Sequence, residues 1–449
     1  MKRTRWLLAL AILLLAGGVA VWLISQPRLV AVEPLPAATG VPGSASLRLS
    51  FSHPMQPDSV LQRLQIQPPM AGEFRWEDKT LVFTPSRPWQ SGSTVRIRLN
   101  RGAQAHAFPY RRLSQEIEWT FQIGYPSVLY LYPFDGQAGL YLLDPLQGNT
   151  QLLSQAGQEV FDYSLSANGA VILFTARLGK GSAIYRLERH DSRVQTVLEF
   201  PNGQVRSAQL SPSGDYIAYE LTELSEANAP THVWASPYPP QGQEQALRLG
   251  DAGQISRAPM WSAQNLLAYY DAATRHYRFY DPEARREVDA VECQTGEKGI
   301  WSPTGESFLF AEILPQSGTF PTSHLFLYHL PTRQLTDLSQ REAIEDLGGA
   351  FSPQGDRLVF ARKFLDAVQW TPGRQPWLLN LANNEARPLL VEAAYNHYDF
   401  AWNPNPDQIL YVRFNQMSLT EPPEIWVMMG DGSQPRQLVK GGYAPQWIP

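Results

Sequence analysis

The chain has 449 residues, 43% of them hydrophobic and 18% charged, which is enough apolar material for the interiors of two or three domains. Its net charge of −5 is mild and only six of the 37 basic residues are Lys, so there is no dense basic stripe of the kind that displaces phosphate counterions, and a nucleic-acid surface is excluded. Frequent Gly (32) and Pro (37) beside abundant Trp and Tyr predict an all-β chain of short strands joined by turns. The single cysteine, Cys293, excludes an intramolecular disulfide and reads as a small buried hydrophobe.

The N-terminus opens MKRTR (residues 1–5), then runs uncharged from Trp6 to Ser25. Twenty apolar residues as a helix span about 30 Å, the thickness of a bilayer's hydrocarbon core. Trp6 and Trp22 sit near the two ends, where indole rings favour the interface. A cleaved signal peptide is the alternative, with Gly18–Ala20 as its cleavage region, but Val21-Trp22-Leu23-Ile24 continues the apolar run past it. A lipoprotein signal needs a Cys after the run, and none is there. Lys2, Arg3 and Arg5 precede the run and only Arg28 follows closely, so the expected topology is single-pass: residues 1–5 cytoplasmic, 6–25 spanning, 26–449 periplasmic or extracellular.

Residues 26–33 read as a linker, and 34–124 as one small β-domain. SLRLSF puts Leu47, Leu49 and Phe51 on one face. TVRIRLN puts Val95, Ile97 and Leu99 inward with Arg96 and Arg98 outward, and EIEWTFQI repeats the pattern with Ile117, Trp119, Phe121 and Ile123. Period-two alternation marks half-buried antiparallel strands, and this length suits a β-sandwich. The pieces GVPGSASLRLSFSHPMQPDSV, LVFTPSRPWQSGSTVRIRL and EWTFQIG resemble the bacterial Ig-like domain of the SbsA type. That resemblance implies a spacer or weak binding module of the envelope and brings no catalytic residue. Arg111 and Arg112 are a solvated edge that could touch an anionic surface.

From residue 125 to 449 one peptide returns: YSLSANGAVILFTA, AQLSPSGDYIAYE, PMWSAQNLLAYYD, GIWSPTGESFLFAE, GAFSPQGDRLVFAR and FAWNPNPDQILYVR. The polar residue after the large one falls at Ser166, Ser211, Ser262, Ser302, Ser352 and Asn403, at gaps of 45, 51, 40, 50 and 51. An all-strand period of about 40–50 residues is the signature of a β-propeller blade. The large residue ends an inner strand and fills the wedge between blades, and the Ser-Pro and Gly positions form a tight turn. Residues 126–153 read as strands two to four of a blade lacking its first, and GGYAPQWIP at the C-terminus reads as that missing strand, with Trp447 in the large-residue position. The expectation is a ring closed by the C-terminal strand, with no exposed sheet edges, of seven blades, six being the alternative.

This repeat resembles the TolB-type propeller repeat, whose pattern is roughly P-x-W-S-P-D-G-x-x-I-A-F. The resemblance implies the fold. The family's free periplasmic state, its leading α/β domain and its six blades differ from this chain, so a role in the Tol–Pal system is not implied.

Catalytic motifs are absent from the sequence. No G-x-S-x-G accompanies the propeller, GKGS at 179–182 and GDGS at 430–433 read as hairpin turns, and the scattered His residues show no zinc spacing. No cofactor and no metal are expected. The remaining candidates precede the inner strands, at the expected channel mouth: Asp162, Arg206, Arg257, Lys298, Asp346, His397 and Asp399. They read as a binding face for an envelope protein, peptide or glycan, or as a solvated funnel of compensating charges. Asp399 with His397 could alternatively serve acid–base work in a hydrolase or lyase acting on peptide or carbohydrate. A third expectation is an envelope sensor or assembly factor.

Overall fold

The computed structural model describes residues 26–108, 110–224, 228–240, 245–251, 253–314, 322–340, 343–404 and 407–449. The chain divides into two compact units, Met1–Tyr125 and Pro126–Pro449. The expected span at 6–25 lies outside the described residues. Among those described, no helix is long and apolar enough to cross a membrane.

The first unit holds β1 (Leu29–Glu33), β2 (Leu47–Phe51), α1 (Pro57–Leu61), β3 (Leu64–Gln67), β4 (Gly72–Glu77), β5 (Thr80–Pro85), β6 (Thr94–Leu99) and β7 (Ile117–Gln122). They form two antiparallel sheets, β1-β2-β5-β4 and β3-β6-β7. Leu47, Leu49 and Phe51 meet Val95, Ile97, Leu99, Trp119, Phe121 and Ile123 in one core, while Arg96 and Arg98 point out to Glu118 and Glu116. Trp89 fills the centre and donates its indole N–H to the Ala45 carbonyl at 2.9 Å. Two elements depart from the sequence reading. The stretch read as a linker contains β1, because Leu29-Val30-Ala31-Val32 can add to the edge of β2 before Pro34 stops pairing. Pro57 and Asp58 start the short helix α1, which buries Val60.

The second unit is a β-propeller of four-stranded antiparallel sheets. The first sheet contains β8 (Ser127–Tyr132), β9 (Gly139–Leu143) and β10 (Thr150–Leu152). Then come β11 (Val160–Leu165), β12 (Val171–Leu178), β13 (Gly181–Glu188) and β14 (Arg193–Phe200). The third is β15 (Gly203–Leu210), β16 (Tyr216–Glu223), β17 (Thr231–Pro237) and β18 (Leu247–Leu249). The fourth is β19 (Ser256–Trp261), β20 (Leu267–Asp271), β21 (His276–Asp281) and β22 (Arg286–Glu292). Two further quartets follow: β23 (Ile300–Trp301), β24 (Ser307–Leu314), β25 (Thr322–His329) and β26 (Gln334–Asp337), then β27 (Ile344–Phe351), β28 (Arg357–Phe364), β29 (Gln375–Asn380) and β30 (Glu385–Pro388). A single parallel contact, Ser323 with Glu345, joins these two. The last sheet is β31 (Tyr395–Pro404), β32 (Asp407–Asn415), β33 (Glu424–Met429) and β34 (Arg436–Lys440), and the final strand β35 (Tyr443–Ile448) adds to the free edge of β8.

Apolar layers between neighbouring sheets hold the unit together. Phe279 packs on Phe308 and Tyr328 of the next sheet, and Val128, Tyr130 and Leu143 of the first sheet pack on Leu410, Val412 and Ile425 of the last. The propeller therefore closes both by strand addition and by side-chain packing.

Each repeat serine has a bonding role. Ser166, Ser211, Ser302 and Ser352 accept the backbone N–H five residues on through Oγ at 3.0–3.1 Å, and Ser262 accepts from Leu266 in a turn one residue shorter. At the turn, Gly169, Gly214, Gly305 and Gly355 have φ of 71–78°, and Asn265 takes that role at 61°. The tryptophans before these serines reach back one sheet. Trp261 donates to the Gln209 carbonyl, Trp301 to Met260 and Trp447 to Ala401, at 3.3, 3.0 and 3.2 Å. Trp402 departs from this pattern and bonds Asp407 at 2.6 Å.

Candidate functional site

The inner strands of five sheets carry the same irregularity, which helps set the site. Pairing slips between Arg206 and Gln209, Arg257 and Met260, Leu347 and Ala350, Tyr398 and Ala401, and Tyr443 and Gln446. Within each slip lies a residue with positive φ: Ser207 at 53°, Ala258 at 55°, Gly348 at 59°, Asp399 at 51° and Ala444 at 50°. All occupy the position four before the repeat serine or its equivalent, where Asp162 and Lys298 also stand. This is a repeated β-bulge, which re-aims one side chain per strand.

The bulge sorts the seven candidate residues by position. Asp162, Lys298 and Asp399 stand four residues before the repeat position, and of these Asp399 lies within a slip. Arg206 and Arg257 lie one residue earlier, exposed, each over an aromatic ring: Arg206 over Phe161 at 4.7 Å and Arg257 over Tyr270 at 5.5 Å. Arg257 also donates to the Thr295 carbonyl at 2.9 Å. Asp346 and His397 lie two residues before that and are fully buried between sheets. Asp346 is gripped by Arg362, and His397 faces the Arg374 carbonyl at 2.9 Å and the Glu392 carboxylate at 3.1 Å. No hydrogen bond or ion pair joins His397 to Asp399. Both His397 nitrogens are engaged elsewhere, which leaves the acid–base pairing of these two without geometry.

One residue that the sequence did not single out completes the group. Glu220, on β16, accepts the Ala258 N–H at 2.6 Å, just as Asp162 accepts the Ser207 N–H at 2.9 Å and the Thr175 hydroxyl at 2.7 Å. Both carboxylates thereby cap the backbone donor that a bulge frees in the next sheet. The sequence hides this role, because Glu220 lies on the second strand of its sheet, away from the repeat turn.

Burial raises the carboxyls of Asp162 and Glu220, and the Lys298 ammonium and the Arg206 guanidinium oppose that shift at both. The charge of Lys298 also acts on Asp399, and that of Asp399 on the partly buried Tyr163 phenol, which donates to the Leu129 carbonyl at 2.8 Å and to the Ala444 carbonyl. These charges therefore share one field. Within it Lys298 and Asp399 are exposed, and neither has a hydrogen bond or ion pair among the described residues. Also among the described residues, no group of three or more His, Cys, Asp or Glu side chains is placed to hold a metal ion. Arg206, Arg257, Lys298 and Asp399 leave exposed charges of both signs on the propeller unit.

Residues 24–123 match the family model of the bacterial Ig-like domain. No curated protein matches the sequence. Among solved structures, an acylaminoacyl peptidase in complex with a chloromethyl ketone is similar at 11% identity and a TM-score of 0.51, covering 78% of this chain and 52% of its own. A prolyl endopeptidase is similar at 11% identity and a TM-score of 0.50, covering 70% and 50%. The chain thus spans about half the length of either peptidase. TolB from Acinetobacter baumannii is also similar, at 10% identity and a TM-score of 0.44 over 86% of this chain and 83% of that one. The first unit is a bacterial Ig-like domain, and the structural neighbours of the chain are β-propeller proteins of the TolB type.

Proposed function

We propose that this chain is a membrane-anchored, extracytoplasmic scaffold of the cell envelope. In this reading residues 6–25 anchor it, the Ig-like domain is the spacer, and a seven-bladed propeller presents its charged axial face to a protein, peptide or glycan partner. What supports the blade count is the position four before the repeat serine or its equivalent, which recurs at residues 162, 207, 258, 298, 348, 399 and 444. The observation that carries the binding role is the contrast between two pairs of charges. Asp162 and Glu220 are consumed as backbone caps, whereas Lys298 and Asp399 stand exposed, with no hydrogen bond or ion pair among the described residues. The reading assigns no catalytic step, since the two buried carboxylates are committed to N–H groups.

The test is crosslinking capture from intact envelopes with the full chain, repeated with Lys298→Ala, Asp399→Ala and Arg206→Ala. Loss of one crosslinked species in these variants, with the Ig-like unit unchanged, supports the axial face. An identical set of crosslinked species in every variant removes it. Retention of the chain in membranes after alkaline carbonate extraction tests the anchor separately.

A further inference from the structure

In the Ig-like unit Phe108 and Tyr110 stand 84% and 48% exposed, their rings in edge contact at 5.9 Å. The loop that carries them has a built backbone. Ala105 N–H donates to the Arg111 carbonyl at 2.7 Å, Tyr110 N–H donates to the Ala107 carbonyl at 2.9 Å, and Tyr110 has φ of 55°. Two large aromatic rings held outward on a closed turn are an apolar surface directed at something outside the unit.

The stretch of sequence that carries the loop has charge of one sign. Between Asp78 and Glu116 the sequence has seven basic residues and no carboxylate, in a chain whose net charge is −5. Arg96 and Arg98 are compensated across the sheet by Glu118 and Glu116. Arg112, exposed and two residues after Tyr110, has no ion pair among the described residues, whereas a guanidinium nitrogen of Arg111 is buried.

The place of the loop is set by its hydrogen bonds. His106 N–H donates to the Pro54 carbonyl at 2.9 Å, and Ala105 bridges Met55. Two residues before Pro54, Ser52 donates its N–H to the Arg28 carbonyl at 2.9 Å and accepts the Arg28 N–H on its hydroxyl at 3.0 Å. Arg28 follows the apolar run 6–25 by only two residues. The aromatic tip therefore lies at the end of the Ig-like unit where the chain arrives from that run.

We propose that Phe108, Tyr110 and Arg112 form a bilayer-docking tip. Phe108 and Tyr110 rest in the interfacial layer of the membrane, and Arg112 lies on anionic lipid headgroups. The inference rests on the anchor reading for its geometry, since a span ending at Ser25 leaves three residues, Gln26 to Arg28, a reach of roughly 13 Å when extended, before β1 begins at Leu29.

The experiment reconstitutes the full chain into vesicles of phosphatidylcholine alone or with phosphatidylglycerol. An environment-sensitive fluorophore is placed at Phe108→Cys or, as a control, at Val368→Cys, which is 93% exposed in the other unit. Unlabelled Cys293 is buried, and wild-type chain supplies the blank. The expected result is a blue shift and quenching by nitroxide lipids at 108 and not at 368, stronger in the anionic vesicles. Arg112→Gln lowers the docked-to-undocked ratio about fivefold. Equal, unquenched emission at both positions overturns the proposal, as does a blue shift at 108 that requires envelope proteins and not lipid. A chain extracted by carbonate yet quenched at 108 refutes the anchor and keeps the tip. A chain retained yet unquenched refutes the tip and keeps the anchor.

Discussion

Arg362 holds Asp346 with both arms of its guanidinium, Nε to Oδ1 at 2.7 Å and Nη2 to Oδ2 at 2.6 Å. Both side chains are almost fully buried, Ser339 donates a third hydrogen bond to Asp346 at 2.6 Å, and the guanidinium lies between the rings of Phe360 and Trp377. The pair joins β27 to β28, where the two residues stand opposite each other in the ladder. Removing one partner leaves the other charge buried and alone. Asp346→Ala should therefore destabilise the propeller by about 3–5 kcal/mol, while an apolar replacement of both residues should cost much less. Denaturant unfolding decides it: a single variant as stable as the double one would refute the pairing.

The repeat serine is the second target. Ser352 is fully buried, accepts the Arg357 N–H at 3.0 Å and donates to Asp356 at 2.6 Å. Ser352→Ala orphans that N–H and should cost about 1–3 kcal/mol. The Ser352 hydroxyl is also the main cause that holds the Asp356 carboxyl below its ordinary range, so its titration should move upward in the variant. An unmoved Asp356 resonance in a pH titration would contradict the bond.

Glu392 sets an acid limit on stability. Burial alone would raise its carboxyl, but hydrogen bonds from His397 and Arg413 bring it down to about 2, from an ordinary value of 4.5. A depressed folded value contributes stability that is fully present above pH 4.5 and is lost as pH falls toward 2. The group is partly solvated, so the screened contribution is about 1–2 kcal/mol. Glu392→Gln should show that deficit at pH 7, narrowing to nothing near pH 2. A deficit that grows on acidification would reverse the sign and defeat the assignment.

Cys293 is fully buried, and burial raises its thiol above the ordinary range despite contacts from Thr295 at 3.3 Å and the Gly296 N–H at 3.5 Å. The folded chain should show no fast-reacting thiol toward a disulfide reagent, and one thiol after denaturation. Rapid native labelling would mean that the loop after β22 opens.

Much of the second unit was legible in the sequence because its signals are local. The spacing of Ser166, Ser211, Ser262, Ser302, Ser352 and Asn403 reports a turn whose bonds close within five residues, so each copy carries its own instruction. The site was legible only in part. Seven upstream residues read as a single mouth, yet the structure divides them: Asp346 and His397 are buried, Arg206 and Arg257 exposed, Asp399 takes a bulge, and Asp162 caps a backbone N–H of the next sheet while Lys298 stands exposed. A bulge occupied by Ser207, Ala258 and Asp399 at positive φ has no glycine signal to announce it; only Gly348 and Gly349 hint at one.

By itself the sequence determined the strand alternation, the turns, the repeat period and the complementary fragments at the two ends of the propeller, because each depends on neighbours a few residues apart. Tertiary structure alone decided which charges are consumed and which are left over. Asp162 and Glu220 find their backbone donors in the next sheet, 45 and 38 residues away, while Lys298 and Asp399 find none. Such a partnership depends on how adjacent sheets meet, and no spacing along one strand encodes it.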